Sequence, residues 1–185
     1  MFKLLHDETD KTKVIDKVAL TQDAKWENCL NEWNQNKQTI FIAWFAETAE
    51  ALKNYSTSHA REQPEIYLAG EMQFIHIKNE SVLFFIEHYP LFNKELALFQ
   101  KLHLKEAVVY SSLDEPLFMY IGSGKISELM TSIGMKENEI LQNNMISISI
   151  KRLQKKLEEK ITVEQSARSQ EQWMRANVPN KTFLV

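Results

Sequence analysis

The stretch TIFIAWF, residues 39–45, decides the fold class of this 185-residue chain. It is apolar on both faces and rich in β-branched and aromatic residues, as is typical of a central strand in a parallel sheet that helices cover on both sides. The preceding residues predict a helix over 21–36, because four apolar side chains repeat there at helical spacing. They are Trp26, Cys29, Leu30 and Trp33. A second helix is predicted over 46–58, so the strand lies between two helices.

Outward from this stretch, strand and helix patterns continue to alternate along the chain. Further strands are predicted over 14–20, 65–70, 73–78, 81–88 and 106–111. Pro90 suits the first turn of a helix, where its missing N–H costs little, and that helix is predicted to run to residue 102. Strands that alternate with helices predict a three-layer α/β fold with a mostly parallel sheet.

Beyond the last strand the pattern is purely helical. A short helical piece is predicted from Asp114 and Pro116, followed by a helix over 124–133 that Ser123 caps. Residues 139–175 contain no Pro or Gly, and they predict one long C-terminal helix.

An apolar seam runs along this predicted long helix. Its members are Ile146, Ile150, Leu153, Leu157 and Ile161. A helix of this length would extend beyond a small sheet, so we expect the seam to bind a protein partner or a second copy of the chain. The expected organisation is a flexible arm (1–12), an α/β domain (13–113), a helical extension (114–177) and a tail (178–185).

Composition and charge exclude several classes of function. A net charge of −3 provides no global basic field, so we expect no nucleic-acid partner. Cys29 is the single cysteine, which excludes an internal disulfide and a cysteine-based zinc site. The start of the chain, MFKLLHDETDK, has no apolar run of signal-peptide length, and the runs over 40–46 and 82–86 are too short to span a bilayer. We therefore expect a cytoplasmic protein with no transmembrane segment.

The sequence GSGK, residues 122–125, looks like a phosphate-binding loop but has the wrong spacing. The Walker pattern requires a Gly five positions before the Gly that precedes Lys, and Met119 stands there. The stretch also lies between two helical pieces instead of following a buried strand, so a helix cap is the better interpretation.

The polar residues that follow predicted strands are the best candidates for a site. Parallel α/β sheets bind ligands at the carboxyl ends of their strands. The candidates for a nucleotide or another small ligand are Trp44, Glu47, Glu87, His88 and Ser111. The serines at 111 and 112 lack a G-x-S-x-G context, and the five histidines show no metal-ligand spacing, so we expect no catalytic residues, metal or cofactor.

The stretch that begins SLDEPLFMYIGSGKISELM at residue 112 and continues through MISISIKRLQKKLEEKI to residue 161 resembles SecA, the ATPase motor of bacterial preprotein translocation. The matching order includes Ser112-Leu-Asp-Glu, Ile121-Gly-Ser, Gly134-Met and Gln154-Lys-Lys. Weaker likeness extends over about 14–175. The resemblance implies a RecA-like domain of the P-loop-NTPase type, similar to the second nucleotide-binding domain of SecA, followed by the start of its helical scaffold.

The departures from the SecA pattern concern the nucleotide site. The family has an arginine- and glycine-rich segment where this chain has residues 91–102, which contain neither Arg nor Gly. The family's NMAGRGTDI loop has no counterpart between Gly70 and Ser81, and the Walker loop of its first nucleotide-binding domain is absent from this sequence. The resemblance therefore implies a degenerate, non-catalytic module that binds a partner. Residual nucleotide or ligand binding, or an accessory role in preprotein translocation, are the alternatives.

Overall fold

A computed structural model describes residues 12–120, 122, 124, 136 and 138–178 of the chain. Five strands in this part of the chain form one sheet in the order β1-β5-β4-β2-β3, and all neighbouring strands are parallel. The strands are β1 (Lys13–Ala19), β2 (Thr39–Ala43), β3 (Glu65–Leu68), β4 (Val82–Phe85) and β5 (Glu106–Ser112). The predicted α/β fold class with a parallel sheet is confirmed, and the architecture is consistent with a RecA-like fold.

Helices connect the strands and cover the sheet. They are α1 (Gln22–Gln35), α2 (Ala46–His59), α3 (Phe92–Lys101), α4 (Pro116–Tyr120), α5 (Asn144–Glu158) and α6 (Gln170–Asn177). Side-chain caps fix where three of them begin, because the first N–H groups of a helix lack partners within it. Thr21 accepts from the N–H of Ala24, Asn143 from that of Met145, and Ser169 from that of Gln172.

The core has one apolar layer on each face of the sheet. Phe41 packs with Trp33 of α1 and Leu52 of α2, whereas its neighbour Ile42 packs on the opposite face with Phe99 of α3. Successive side chains of a strand point to opposite faces, so a strand covered on both faces is apolar throughout. All five residues of β2 are buried, as the pattern of residues 39–45 predicted.

The predicted strand over 73–78 is wrong. A short 3-10 helix (Ala69–Glu71) follows β3, and the next residues form a turn and an irregular segment. Ile75 and Ile77 still pack against the core, which explains their alternating pattern. However, β2 already pairs with β3 on one side and β4 on the other, so the segment cannot pair with β2.

The predicted single helix over 139–175 is also wrong. Helix α5 ends at Glu158, where the N–H groups of Lys160 and Ile161 both donate to the carbonyl of Leu157. After a non-helical connection, α6 begins at Gln170 and packs Trp173 against Leu157. Burial of the Trp173 indole stabilises the folded chain by more than a few additional helical hydrogen bonds would, so the chain folds back.

Three predictions fall wholly or largely outside the described residues. They are the arm over 1–12, the helix over 124–133 and the tail over 178–185. Among the helices that the structure describes, none is long and apolar enough to cross a membrane.

Candidate functional site

The carboxyl edge of the sheet brings together most of the predicted ligand residues. Trp44 follows β2, Glu87 and His88 follow β4, and Ser111 lies near the end of β5. Glu47 belongs to the first turn of α2. Parallel strands place their carboxyl ends at one edge, which is why residues far apart in sequence meet here. Their individual contacts, however, differ widely.

Glu87 joins the end of β4 to the start of α2. Its Oε1 accepts hydrogen bonds from the backbone N–H groups of Trp44 and Phe45, both at 2.9 Å, and its Oε2 lies 2.7 Å from the hydroxyl of Thr48. Phe45, at the position before the helix, has no side chain that can cap it. Burial raises the pKa of Glu87 to about 8. The carboxyl group therefore acts as a cap supplied by a neighbouring strand.

His88 is buried between two carboxylates on the other side of the same strand end. Its Nε2 lies 2.6 Å from Oδ1 of Asp16, and its Nδ1 lies 3.0 Å from Oε1 of Glu95. Burial alone would lower the pKa of His88, but the two carboxylates outweigh burial and raise it well above the usual value. Gln154 of α5 completes the cluster by donating to Oε2 of Glu95 at 2.8 Å. With both ring nitrogens directed at carboxylates, this imidazolium can serve neither as a base nor as a metal ligand.

Lys25 and Glu115 form a second buried charge pair. The ammonium of Lys25 lies 2.5 Å from Oε1 of Glu115, donates to the carbonyl of Ile86 at 2.9 Å, and lies 4.0 Å from the ring centroid of Trp26. Burial raises the pKa of Glu115, against the opposing effect of Lys25. Oε2 of Glu115 has no hydrogen-bond partner, so the pair is incompletely satisfied.

A cavity of about 370 Å³ opens at this edge between α1, α2, α4 and α6. Its acidic lining residues are Glu47, Glu87, Asp114, Glu115 and Glu171. Lys25 is the one basic residue in the described lining, and Glu115 offsets its charge. A cavity with this balance repels phosphate groups, which require an excess of positive charge or free backbone N–H groups.

Besides His88, two of the predicted ligand residues lie in packed surroundings outside this lining. Trp44 packs against Tyr89, with ring centroids 4.9 Å apart, and its indole N–H has no hydrogen-bond partner. The hydroxyl of Ser111 is fully buried and also lacks a partner. Glu47 does line the cavity, where it accepts from Gln172 of α6 at 2.9 Å.

The apolar seam predicted to bind a partner is occupied within the chain. Leu153 and Leu157 are buried against Trp173 and Met174 of α6, and Ile150 packs with residues of β1 and α4. The two remaining members, Ile146 and Ile161, are half-buried. These contacts contradict the expectation of a free seam, because the chain folds back on the surface that we expected to be exposed.

Gln170, the first residue of α6, ties this fold-back to the carboxyl edge. Its Oε1 accepts from the backbone N–H of Leu117 at 2.8 Å, and its Nε2 donates to the carbonyl of His88 at 3.0 Å. A backbone–backbone hydrogen bond also joins the N–H of Glu47 to the carbonyl of Arg168, at 3.0 Å.

Sequence reasoning missed most of the groups that hold the candidate residues. The missed groups are Asp16, Lys25, Glu95, Glu115, Gln154 and Gln170, all of them buried. A signal existed for two of them, since Asp16 interrupts an apolar strand pattern and Lys25 precedes Trp26 on the inner side of a helix. In the described part of the chain, no group of three or more His, Cys, Asp or Glu residues is arranged to hold a metal ion.

Comparison with known proteins finds similarity in one segment. The protein translocase subunit SecA of Porphyromonas gingivalis is 45% identical over 53 residues, which are 29% of this chain and 5% of that protein. SecA of Christiangramia forsetii is 48% identical over 50 residues, 27% of this chain and 4% of that protein. A segment of this chain is related to SecA. A third relative, SecA 1 of Chlorobium chlorochromatii, is 39% identical over 54 residues, 29% of this chain and 5% of that protein.

The SecA similarity is local. The chain matches 4 to 5% of the length of these curated relatives, and no family model matches it. The matched lengths are close to that of the stretch over 111–161, on which the resemblance to SecA was strongest.

Proposed function

We propose that this chain is a non-catalytic, SecA-related module that binds a protein of the preprotein translocation machinery. One observation carries the proposal: the buried ionisable groups at the carboxyl edge are engaged with one another or, for Glu87, with the N–H groups of Trp44 and Phe45. His88 lies between Asp16 and Glu95, and Lys25 is paired with Glu115. Groups held in this way stabilise the fold, and they are not free to activate water or to pair with a phosphate.

The charge of the edge cavity supports the absence of ATP hydrolysis. Phosphoryl transfer depends on cations and N–H groups that neutralise the transferred group. The cavity instead presents several carboxylates and a neutralised lysine. In addition, residues 91–102 contain no arginine, and the 185 residues contain no G-x-x-x-x-G-K-[ST] sequence.

Similarity to SecA supports the choice of partner class. The relatives are protein translocase subunits, and the related segment is long enough to include several helices. A chain that keeps such a segment without a catalytic site is suited to act as an accessory or regulator of the translocase. By analogy with these relatives, the translocation machinery is the place to look for a partner.

Two measurements on the purified chain test the proposal. Calorimetry with millimolar ATP or ADP should give no binding heat, and phosphate release should equal that of buffer. Sedimentation velocity of a mixture with purified SecA should show a complex that neither protein forms alone. Phosphate release that a Lys25→Met variant abolishes would overturn the non-catalytic assignment, and the absence of any complex would overturn the assignment of the partner.

Small-ligand binding at the carboxyl edge is the second candidate function. The observation in its favour is the cavity of about 370 Å³, which Glu47 and Glu87 line. Its acidic lining would suit a ligand that carries an ammonium or guanidinium group. A thermal-shift series with spermidine and arginine tests this reading, and equal melting temperatures with and without both compounds would remove it.

A further inference from the structure

An apolar groove lies on the face of the sheet opposite to α1 and α2, between α3, α5 and β1. Its volume is about 180 Å³. The apolar lining consists of Val14, Phe92, Leu96, Phe99, Ile148 and Ile150. Ile148 is 42% exposed, and Phe92 and Leu96 are half-buried, so apolar surface remains open to solvent at the mouth. The space suits one large apolar side chain.

Two lysines of α5 stand at the mouth of this groove. The ammonium of Lys151 lies 4.7 Å from the ring centroid of Phe92, and that of Lys155 lies 5.3 Å from the same centroid. Both side chains are therefore held over one groove residue by cation–π contacts instead of extending freely into water. Arg152 and Lys156 are exposed on the same helix and add positive charge nearby.

Two acidic residues near this mouth are engaged elsewhere. Glu95 is buried against His88, and Glu158 accepts from the backbone N–H of Asn93 at 2.5 Å. Lys94 of α3 is paired with Glu164, whereas within the described residues neither Lys151 nor Lys155 has an ion-pair partner. Two like charges at one ring repel each other, and an external anion would relieve this repulsion.

We propose that this groove binds an acidic peptide segment of a protein partner. One large apolar side chain of the segment enters the groove beside Ile148, and flanking Asp or Glu residues pair with Lys151 and Lys155. The charge of the mouth selects an acidic segment, and the enclosed groove provides the apolar anchor that binding sites of this kind require. A flat bilayer surface would not fill a groove between two helices, so a peptide fits the geometry better.

The inference rests on the proposed function in that it describes the partner's binding segment, but its test is independent of SecA. The probe is a synthetic peptide with a single Phe flanked on both sides by Glu residues. Binding is followed by NMR chemical-shift changes of the isotope-labelled chain. We expect saturable changes at Phe92, Leu96 and Ile148, and loss of these changes when the peptide's Phe is replaced by Ser or its Glu residues by Gln.

A matched pair of variants separates specific binding from general attraction of charges. Lys151→Glu with Lys155→Glu should weaken binding by at least roughly tenfold. Lys53→Glu with Arg61→Glu makes the same change of charge at two exposed positions, one in α2 and one just after it. Because these positions lie away from the groove, this control should change the affinity for the peptide by no more than about twofold.

Three outcomes would overturn the proposal. The first is that the peptide causes no saturable shift at the groove. The second is that both double variants weaken peptide binding equally. The third is that the peptide does not bind, whereas the chain binds anionic phosphatidylglycerol vesicles and only the α5 variant loses this vesicle binding. If the peptide binds but purified SecA does not, the groove assignment stands and the assignment of the partner falls. If SecA binds equally well to the α5 variant, the translocation assignment stands and the groove assignment falls.

Discussion

Nε2 of His88 lies 2.6 Å from Oδ1 of Asp16, and both side chains are almost completely buried. The contact joins β1 at one edge of the sheet to the end of β4, two strands away in the sheet order. Because His88 also meets Glu95 of α3, one imidazolium links three separate elements. A buried charge that loses its partner becomes unfavourable, so this cluster is a sensitive point of the fold.

Asp16→Asn should lower the free energy of unfolding by about 3–5 kcal/mol, because it removes one carboxylate from a buried imidazolium. Urea denaturation measures the change. Glu106→Gln is the matched control, since Glu106 pairs with Lys13 at 2.8 Å across neighbouring strands but in an exposed position. The control should change stability by less than about 1 kcal/mol. Equal effects of the two variants would show that the buried cluster contributes no more than a surface pair.

Glu87→Gln should remove part of the pH dependence of stability. Burial raises the pKa of Glu87 from about 4.5 to about 8, so the folded state holds a proton over a range where the unfolded state does not. The contribution of Glu87 to the free energy of unfolding is therefore fully present below about pH 4.5 and is lost as pH rises to about 8. Glutamine keeps an acceptor for Trp44 and Phe45 without a titrating proton. Relative to the wild type, the variant should gain stability between pH 4.5 and 8.5 in urea titrations, and a constant difference would contradict the assignment.

Ile150→Ala and Ile148→Ala test the packing of α5 against β1 and α4. Ile150 is 3% exposed and packs in the core, whereas Ile148, two residues earlier in the same helix, is 42% exposed. Ile150→Ala should cost about 2–5 kcal/mol of stability, and Ile148→Ala less than about 1 kcal/mol. Chemical denaturation of the two variants measures both values. Equal small effects would mean that α5 projects from the sheet as the sequence predicted.

A double-mutant cycle on Lys25 and Glu115 tests the second buried pair. Lys25→Met alone should cost about 3–5 kcal/mol, because it leaves the buried carboxyl group of Glu115 without its ammonium. Adding Glu115→Gln should recover part of this loss, with an interaction energy of about 1–3 kcal/mol. Thermal and urea unfolding of the four proteins provide the cycle. Strict additivity would show that the two groups do not interact in solution.

The parts of the fold that were predictable are those that local sequence encodes. Residues 40–45 are apolar throughout because β2 is covered on both faces, and that property is visible in the sequence itself. The break between α5 and α6 was not visible, because it depends on Trp173 reaching Leu157 across a connection that contains neither Pro nor Gly. Contacts between distant residues decide such breaks, and a periodic pattern does not record them.

The candidate site likewise has residues whose position could be predicted from local sequence and partners that could not. Glu87 and His88 were placed correctly at the end of a strand, because parallel strands end at a common edge. Their partners were not predicted, since Asp16 lies 72 positions from His88 and Thr48 lies 39 positions from Glu87. The sequence alone does not reveal that these partners turn two apparently reactive residues into structural ones.

The hydrogen bonds of Gln170 have a consequence for synthesis on the ribosome. Because the N-terminal end of a chain emerges first, β1 cannot pair until β5 has been synthesised. The carbonyl of His88 likewise has no hydrogen bond from Gln170 until that residue, 82 positions later, has emerged. Until α6 emerges, Leu153 and Leu157, which Trp173 and Met174 cover in the folded chain, stay available for contacts with other chains. Ribosome-bound chains that stop before residue 170 are accordingly the forms of this protein that most need a chaperone.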